Sequence, residues 1–132
     1  MIKQVAVLPW KRGASLEVLL IRKVPGGDWG VPKGGIAEHG NDYREAARQE
    51  CLEEAGAEGR LGRRFVGEFT YRRAAQRYHV RVLCMEVRAL RDSYDELGRR
   101  ERSWFPVNEA VEKLGREPLR ELVAELPRFV QA

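Results

Sequence analysis

The sequence predicts one domain of the mixed α/β (α+β) class, spanning residues 1–132, in which helices pack against a β-sheet. The composition, 43% hydrophobic and 33% charged, suits a globular chain of this length with one hydrophobic core. The apolar, β-branched runs are joined by short turns, which is typical of hairpins and not of regular strand–helix–strand alternation. A helical segment with a compact group of acids lies among these runs, so helices and strands are mixed along the chain.

The N-terminal part predicts two strands followed by a turn-rich approach to a pair of glycines. Residues 5–9 and 16–23 are apolar and β-branched, and residues 11–13 form a turn between them. Residues 25–28 predict a second turn, and residues 29–31 predict a short strand that leads into the glycine pair.

The acidic group lies on the helix predicted after the glycine pair. Asn41 or Asp42 can cap the start of this helix, and Gly56 ends it. Three glutamates spaced i, i+3 and i+4 project from one side of the helix, and they share that side with small and apolar residues. The residues on this side are Glu50, Glu53 and Glu54, with Tyr43, Ala46 and Ala47.

The charge of the three glutamates requires a partner from outside the helix, because none of them has a lysine or arginine three or four positions away. An ordinary charged helix is the alternative interpretation. The preceding Lys33-Gly34-Gly35 favours a metal site, since glycine backbone can approach a ligand closely. Clustered carboxylates suit Mg²⁺, which binds a few carboxylates together with water and phosphate oxygens.

The stretch from the glycine pair through the acidic helix resembles the Nudix box, Gx5Ex7REUxEExGU, where U is an aliphatic residue. Gly35, Gly56 and the three glutamates fall in register with fixed letters of the box, and Cys51 and Ala57 occupy the two U positions. The chain departs from the box at two letters, and the first departure is Asn41 in place of a glutamate.

The resemblance implies an α/β/α sandwich around a mixed sheet, together with a set of site residues. It implies ligands for Mg²⁺, with Mn²⁺ as a substitute: the Gly34 carbonyl, Glu50, Glu53 and Glu54. Glu53 or Glu50 would also activate or orient the attacking water. Gln49 stands where the family has an arginine that orients a catalytic glutamate. An amide donates a hydrogen bond but brings no charge. We therefore expect this change to lower the catalytic rate more than it weakens metal binding.

A hairpin is predicted after the acidic helix, with strands in residues 60–71 and 78–87 and a basic turn over residues 72–77. Cation-capable side chains alternate along its second strand and suit a multiply phosphorylated ligand. They are Arg77, His79 and Arg81. The alternative is an exposed sheet face covered by the arginine stems.

Further candidate substrate contacts lie near the glycine pair. Lys33 and Gly35 belong to the loop before the acidic helix, and Arg22 lies at the end of the second predicted strand. These residues could meet phosphates, although basic residues that flank strands are often simply solvated.

The C-terminal part predicts a loop over residues 91–102, a strand over residues 103–107 and two helices. Asn108 is expected to cap a helix over residues 109–114, and Pro118 to start the last helix. Acids in the loop could supply a further ligand or a base, as acids in this region do in some Nudix enzymes. The candidates are Asp95, Glu96 and Glu101.

Beyond the box, the chain is similar to the diphosphoinositol polyphosphate phosphohydrolase branch of the family. The similarity lies in EEAGAEGRLGRRFVGEF after the box, in QRYHVRVLCMEV and in the late GRRERSWFPVNEAVEKL. It implies substrates dense in phosphate, such as diphosphoinositol or dinucleoside polyphosphates. The leading hypothesis is therefore metal-dependent hydrolysis of a phosphoanhydride in a small phosphorylated molecule, including nucleoside-diphosphate-linked compounds.

Two other function classes compete with this hypothesis. Asn41 and Gln49 could mark a catalytically weak Nudix-fold module that binds a ligand or regulates, although the retained glutamates favour an enzyme. A basic nucleic-acid-binding domain is disfavoured, because the chain has no recognisable nucleic-acid motif and few aromatic residues interleaved with its basic ones.

The N-terminal run and the cysteines predict a cytoplasmic protein. The apolar part of MIKQVAVLPW is too short for a secretory signal or a membrane span. Cys51 and Cys84 show no CxxC spacing and are expected to be reduced packing residues. We expect a soluble protein that does not bind membranes; the sequence leaves the oligomeric state open and favours a monomer over an oligomer.

Overall fold

A mixed β-sheet of seven strands forms the centre of the computed structural model, which describes residues 1–115 and 117–130. The strands are β1 (Ile2–Arg12), β2 (Leu16–Lys23), β3 (Lys33–Gly35), β4 (Ala57–Leu61), β5 (Gly67–Arg73), β6 (Gln76–Leu90) and β7 (Arg100–Pro106). The helices are α1 (Tyr43–Ala55), α2 (Val107–Lys113) and α3 (Glu117–Glu125). The main strand order is β4-β6-β1-β2-β7, with β3 paired to β1 and β5 paired to β6.

Strand β1 lies in the middle of the sheet and is buried on both faces. It runs parallel to β6 and antiparallel to β2 and β3. Val5 and Val7 face one side of the sheet, Ala6 and Leu8 face the other, and all four are 0% exposed. A continuous apolar run of this kind is expected where helices cover both faces.

The two faces carry two separate cores, which confirms the α/β/α sandwich. On one face, Val5 and Leu83 of the sheet pack with Ala46, Ala47 and Cys51 of α1. The small side chains on α1 allow this helix to lie close to the sheet. On the other face, the sheet packs against α2 and α3 through Ala110, Leu119 and Val123.

Both ends of α1 have the predicted caps. Asp42 precedes the helix, and its Oδ1 accepts hydrogen bonds from the backbone nitrogens of Arg44 (2.9 Å) and Glu45 (3.1 Å). Gly56 ends the helix in the left-handed conformation, with φ of 62°, and donates to the Leu52 carbonyl at 3.0 Å. The Nudix-box helix is therefore fixed at both termini by local chemistry.

The hairpin is confirmed, but its turn is shorter than predicted, and the first strand predicted over residues 60–71 is interrupted at residues 62–66, so that only β5 belongs to the hairpin. Strands β5 and β6 continue to the Arg73–Gln76 pair, so only Ala74 and Ala75 lie between them. Ala74 takes a φ of 55°, as tight hairpin turns require, and the basic residues on either side belong to the strands.

The predicted strand over residues 29–31 is wrong. Trp29 and Gly30 make only isolated bridges, to Leu114 and Ile21, and the strand is the Lys33–Gly35 segment itself. The glycine pair lies beside β1 in the sheet, and the absence of a side chain at Gly34 leaves room for Glu50 of α1.

The predicted cap of α2 is also wrong. Pro106 is the N-cap and Val107 begins the helix, so Asn108 lies inside its first turn and is exposed. Strand β7 is longer than predicted at its start, because it pairs with β2 from Arg100 onward. Among the described residues, no helix combines the length and apolar character needed to cross a bilayer.

Candidate active site

The side chains of Glu50 and Glu54 on α1 pack against strand β3, which contains the glycine pair. Their side chains are only 12% and 13% exposed. Glu50 packs directly on Gly34: a β-carbon added to Gly34 would come within 2.2 Å of the Glu50 Cδ. The Lys33 backbone nitrogen lies 3.3 Å from the Glu54 Oε1 and donates to it. The absence of a side chain at Gly34 therefore makes room for Glu50, and the backbone of Lys33 binds Glu54 beside it.

Two basic side chains from other parts of the chain also approach these carboxylates. The His39 Nε2 lies 3.3 Å from the Glu50 Oε2, and the Arg100 Nη2 lies 3.9 Å from the Glu54 Oε2. Neither residue was identified from the sequence as part of the site. His39 reaches Glu50 from the short 3-10 turn after β3, and Arg100 reaches Glu54 because β7 passes near α1.

The two carboxyl groups have raised pKa values. Burial raises the pKa of Glu54 to about 8, and the adjacent Glu50 adds to this rise, whereas Arg100 opposes it. Burial also raises the pKa of Glu50, as do the charges of Glu53 and Glu38, while a hydrogen bond with Glu54 opposes the rise. The negative charge of this pair is therefore only partly compensated by the surrounding protein.

The predicted trio of metal ligands is not preassembled. Across residues 1–115 and 117–130, no three Asp, Glu, His or Cys side chains are grouped so that they could hold a metal ion as they stand. Glu50 and Glu54 lie together, and Glu53 is near enough for its charge to raise the pKa of Glu50. The donors nevertheless fit Mg²⁺, because they are hard oxygen ligands whose buried charge needs a cation.

The loop between β6 and β7 brings Glu96 to the same end of α1. The Glu96 backbone nitrogen donates to the Glu53 carbonyl at 3.0 Å, and the Glu96 Oε1 accepts from the Arg100 Nε at 2.7 Å. Arg100 thus contacts both Glu96 and Glu54. Of the other two candidate loop acids, Asp95 is exposed and Glu101 pairs with Arg22.

The Gln49 side chain makes no hydrogen bond to the three glutamates. Its Nε2 donates to the Glu45 Oε1 at 3.2 Å, one turn earlier on the exposed side of α1. The role that the resemblance implies for this position, orientation of a catalytic glutamate, is therefore not visible in its hydrogen bonding.

The candidate substrate contacts near the glycine pair have different surroundings. The Lys33 Nζ donates to the Tyr71 hydroxyl at 3.0 Å, and this hydroxyl donates to the Gln4 Oε1 at 2.7 Å. Gly35 is open, since an added β-carbon would approach only the Lys3 carbonyl oxygen, at 4.0 Å. The guanidinium of Arg22 lies 4.4 Å from the Trp29 ring centroid and pairs with Glu101.

Arg77, His79 and Arg81 lie on one face of the hairpin, as expected from their alternation. The Arg81 guanidinium lies 3.7 Å from the Phe65 ring centroid and 5.1 Å from that of Tyr43, at the first residue of α1. The His79 Nε2 lies 3.5 Å from the Glu68 Oε1, and Arg77 is exposed. Arg81 thus packs at the end of α1 opposite to Glu54, where it covers aromatic surface.

A cavity of about 700 Å³ opens next to Glu54. Lys33 and Arg100, which both contact Glu54, also line this cavity. Lys33, through its backbone nitrogen, and Arg100, through its guanidinium, therefore connect the acidic pair with the cavity.

A mixed sheet between helical layers, with an acidic helix packed against a glycine strand, is a Nudix-type fold. The chain belongs to the Nudix family, since the family model for the NUDIX domain matches residues 2–126.

Similar proteins with curated names are phosphohydrolases. Diphosphoinositol polyphosphate phosphohydrolase 2 of Rattus norvegicus is 36% identical over 114 residues, which cover 85% of this chain and 62% of that protein. Diphosphoinositol polyphosphate phosphohydrolase 3-beta of Bos taurus is 36% identical over 116 residues, covering 85% and 68%. The chain thus spans about 62% of the length of the first of these relatives.

Solved structures of other Nudix proteins share the fold. An Ap4A hydrolase of C. elegans superposes with a TM-score of 0.74 at 18% identity and covers 99% of each chain. A NUDIX hydrolase from Nitrosomonas europaea superposes with a TM-score of 0.73 at 21% identity, covering 94% of this chain and 86% of that one. At these identities the likeness concerns the fold alone.

Proposed function

We propose that this protein hydrolyses a phosphoanhydride bond in a small phosphorylated substrate, with Mg²⁺ or Mn²⁺ as its cofactor. One observation carries the proposal: Glu50 and Glu54 are buried together against Gly34, and the surrounding protein compensates their charge only in part. A carboxylate pair of this kind costs stability in the folded protein unless a cation joins it.

The proposed ligands of the metal are the Gly34 carbonyl, Glu50, Glu53 and Glu54. When bound, the metal would neutralise the charge of the anhydride that is being cleaved. Glu53 or Glu50 would accept the proton of the attacking water. Burial and the charges of Glu53 and Glu38 raise the pKa of Glu50, which suits this carboxylate to the role. Glu96 is a second candidate for the base, since its backbone contacts Glu53.

Cationic residues at the edge of the glutamate cluster would hold the phosphates that do not react. Lys33 and Arg100 lie at the boundary between Glu54 and the cavity, which suits them to the phosphate next to the scissile bond. Arg22, Gly35, Arg77, His79 and Arg81 remain proposed contacts for more distant phosphates. The names of the relatives favour substrates with phosphoanhydrides, either nucleoside-linked or diphosphoinositol compounds.

The proposed setting is the cytoplasm, with a monomer as the active form. Cys51 and Cys84 are buried and unpaired, which fits a reducing compartment.

The proposal is tested by phosphate release from a panel of nucleoside-linked and diphosphoinositol substrates, with and without Mg²⁺. Glu53→Gln should lower turnover by about two to four orders of magnitude, the range for loss of a general base or its metal. Glu121→Gln, at an exposed position on α3, is the matched control and should retain wild-type turnover. Normal turnover by the Glu53 variant would refute the catalytic assignment.

A catalytically weak binding module is the second candidate, and the side chain of Gln49 is the observation that favours it. Its amide bonds to Glu45 and not to the glutamate cluster. In that case the panel would show ligand binding with no release of phosphate at any Mg²⁺ concentration.

A further inference from the structure

The backbone and the side chain of Lys33 face different parts of the structure. Lys33 pairs with Ala6 of β1, which belongs to the core that the sheet shares with α2 and α3, so the Lys33 side chain projects toward that face. The next residue, Gly34, faces Glu50 of α1 on the other side. The Lys33 backbone nitrogen nevertheless donates to the Glu54 Oε1 at 3.3 Å. The ammonium of Lys33 is thus directed away from the helix whose carboxylate its own backbone binds.

Tyr71 holds this ammonium in place. The Lys33 Nζ donates to the Tyr71 hydroxyl at 3.0 Å and lies 4.3 Å from the centroid of the same ring. The proton of this hydroxyl is used in another hydrogen bond, because it is donated to the Gln4 Oε1 at 2.7 Å. The Tyr71 oxygen therefore presents its lone pairs to Lys33, and the ring adds a cation–π contact.

Contacts within the hairpin fix the Tyr71 ring. Tyr71 of β5 and Tyr78 of β6 are paired across the hairpin, and their rings stack with centroids 4.7 Å apart and an angle of 7° between the planes. The ring of Phe69, a buried residue of the same strand, lies 6.3 Å from that of Tyr71. Because these contacts do not involve the ammonium, the hydroxyl is a fixed point for a lysine side chain that otherwise has considerable rotamer freedom.

The position of the Lys33 ammonium affects the charge of the acidic pair. Burial raises the pKa of Glu54, and the charge of Arg100 opposes this rise, whereas Lys33 opposes it through its backbone hydrogen bond. A lysine side chain is long and flexible enough to turn toward a carboxylate that lies beside its own backbone. An ammonium in that position would pair with Glu54 and take the place of the divalent cation that the acidic pair is proposed to bind.

We propose that Tyr71 is a positioning residue for the metal site: it holds the Lys33 ammonium on the α2/α3 face of β3 and so keeps this ammonium from neutralising Glu54. Tyr71 itself touches neither the metal nor the substrate in this role. The role rests on the proposed function, in which the acidic pair binds Mg²⁺.

Solution NMR of the full chain without metal tests the placement of Lys33. With isotope-labelled lysine, the ε-methylene signal of Lys33 is identified by its loss in Lys33→Met, and the Tyr71 ring should shift this signal upfield. Tyr71→Phe keeps the ring and removes the hydroxyl, so part of the shift should be lost as the ammonium is released. Tyr78→Phe removes the hydroxyl from the other ring of the stack; it is the matched control and should leave the signal in place.

Titration with Mg²⁺, followed by the rise in melting temperature, tests the consequence for the metal site. Tyr71→Phe should need about threefold to tenfold more Mg²⁺ for half of the stabilisation, the scale of losing one hydrogen bond. The same substitution should have no effect when it is combined with Lys33→Met, because no ammonium remains to compete for Glu54, and Tyr78→Phe should match wild type. A loss of Mg²⁺ affinity that persists in the double variant, or no loss in Tyr71→Phe, overturns the role of Tyr71.

The two measurements allow the two proposals to fail separately. A Lys33 signal that is shifted by the Tyr71 ring, in a protein that Mg²⁺ does not stabilise, leaves the placement by Tyr71 standing and refutes the metal site. Stabilisation by Mg²⁺, together with a Lys33 signal that Tyr71→Phe does not change, refutes the role of Tyr71 and leaves the metal site standing.

Discussion

The carboxylate of Glu50 lies directly against the α-carbon of Gly34, so that a β-carbon at position 34 would come within 2.2 Å of the Glu50 Cδ. Strand β3 and the Glu50 side chain of α1 are therefore closely packed against each other. Any side chain at position 34 has to displace this carboxylate from the proposed metal site.

We predict that Gly34→Ala folds but responds weakly to Mg²⁺. The atom that an added methyl meets is the far end of the Glu50 side chain, which can rotate away and leave its ligand position. The rise in melting temperature on addition of Mg²⁺ should be largely lost, and turnover should fall by at least about tenfold.

Gly35→Ala is the matched control for this effect. An added methyl there approaches only the Lys3 carbonyl oxygen, at 4.0 Å, so the stabilisation by Mg²⁺ should be preserved. Equal responses of the two variants to Mg²⁺ would show that the Glu50–Gly34 contact has no part in metal binding.

A second prediction concerns pH and the metal-free protein. The pKa of Glu54 is raised from the ordinary 4.5 to about 8, chiefly by burial. Between pH 4.5 and pH 8, the Glu54 carboxyl is therefore protonated in the folded state and ionised in the unfolded state. Because the folded state then binds more protons, the free energy of unfolding should fall as pH rises from about 4.5 to 8 and level off above that.

Thermal unfolding in a chelator across this pH range measures the effect, with Glu54→Gln as the comparison. The variant should have a flatter profile, since a neutral amide has no proton to lose. With Mg²⁺ present, the wild-type protein should regain stability at the alkaline end, because metal binding requires the deprotonated carboxylates. Identical chelator profiles for the two proteins would rule out Glu54 as the source of the pH dependence.

A third prediction concerns the departure from the Nudix box at Gln49. Gln49→Arg restores the family's charge near the glutamates, and we expect kcat to rise about tenfold, equivalent to ~1.4 kcal/mol, with an unchanged requirement for Mg²⁺. Gln49→Leu should alter kcat little, because the amide bonds only to the exposed Glu45 in this conformation. A large loss of kcat in the leucine variant would instead assign Gln49 a direct role.

A fourth prediction concerns the attachment of α1 to β7. The Arg102 Nη1 donates to the carbonyl of Ala55, the last residue of α1, at 2.7 Å, and its guanidinium lies 4.8 Å from the Tyr94 ring centroid. Arg102→Met should lower the free energy of unfolding by about 1 to 3 kcal/mol, since a charge-assisted hydrogen bond to a buried helix end is lost. Urea denaturation measures this difference.

The control is Arg88→Met, which removes an exposed arginine that pairs with Glu86 at 2.9 Å. Exposed ion pairs contribute about 0 to 1 kcal/mol, so this variant should remain close to wild type. If both variants lose a similar amount of unfolding free energy, the hydrogen bond from Arg102 to the end of α1 stabilises the protein no more than an exposed ion pair does.

Features of α1 could be predicted from the sequence because they are local. The Asp42 cap, the Gly56 end and the shared side of the three glutamates all follow from spacing within one helix. The hairpin could be predicted for the same reason, although residues at its turn gave no clear boundary because arginines and alanines suit both strand ends and turns.

The contacts that complete the site could not be predicted, because they join segments distant in the chain. Arg100 reaches Glu54, and Glu96 reaches Glu53, only through the course of β7 and its preceding loop past α1. The error at Asn108 has a different cause. An asparagine near a helix start is a good cap in isolation, but the proline at position 106 had already fixed the entry of the chain into α2.

The cavity is built mainly by residues 27–31, between β2 and β3, and by the segment that enters α3, whereas the glutamates belong to α1. The residues proposed to bind the ligand and those proposed to cleave the anhydride thus lie in separate stretches of the chain. Substitutions in the cavity-lining stretches should therefore alter ligand recognition without disturbing the capped acidic helix.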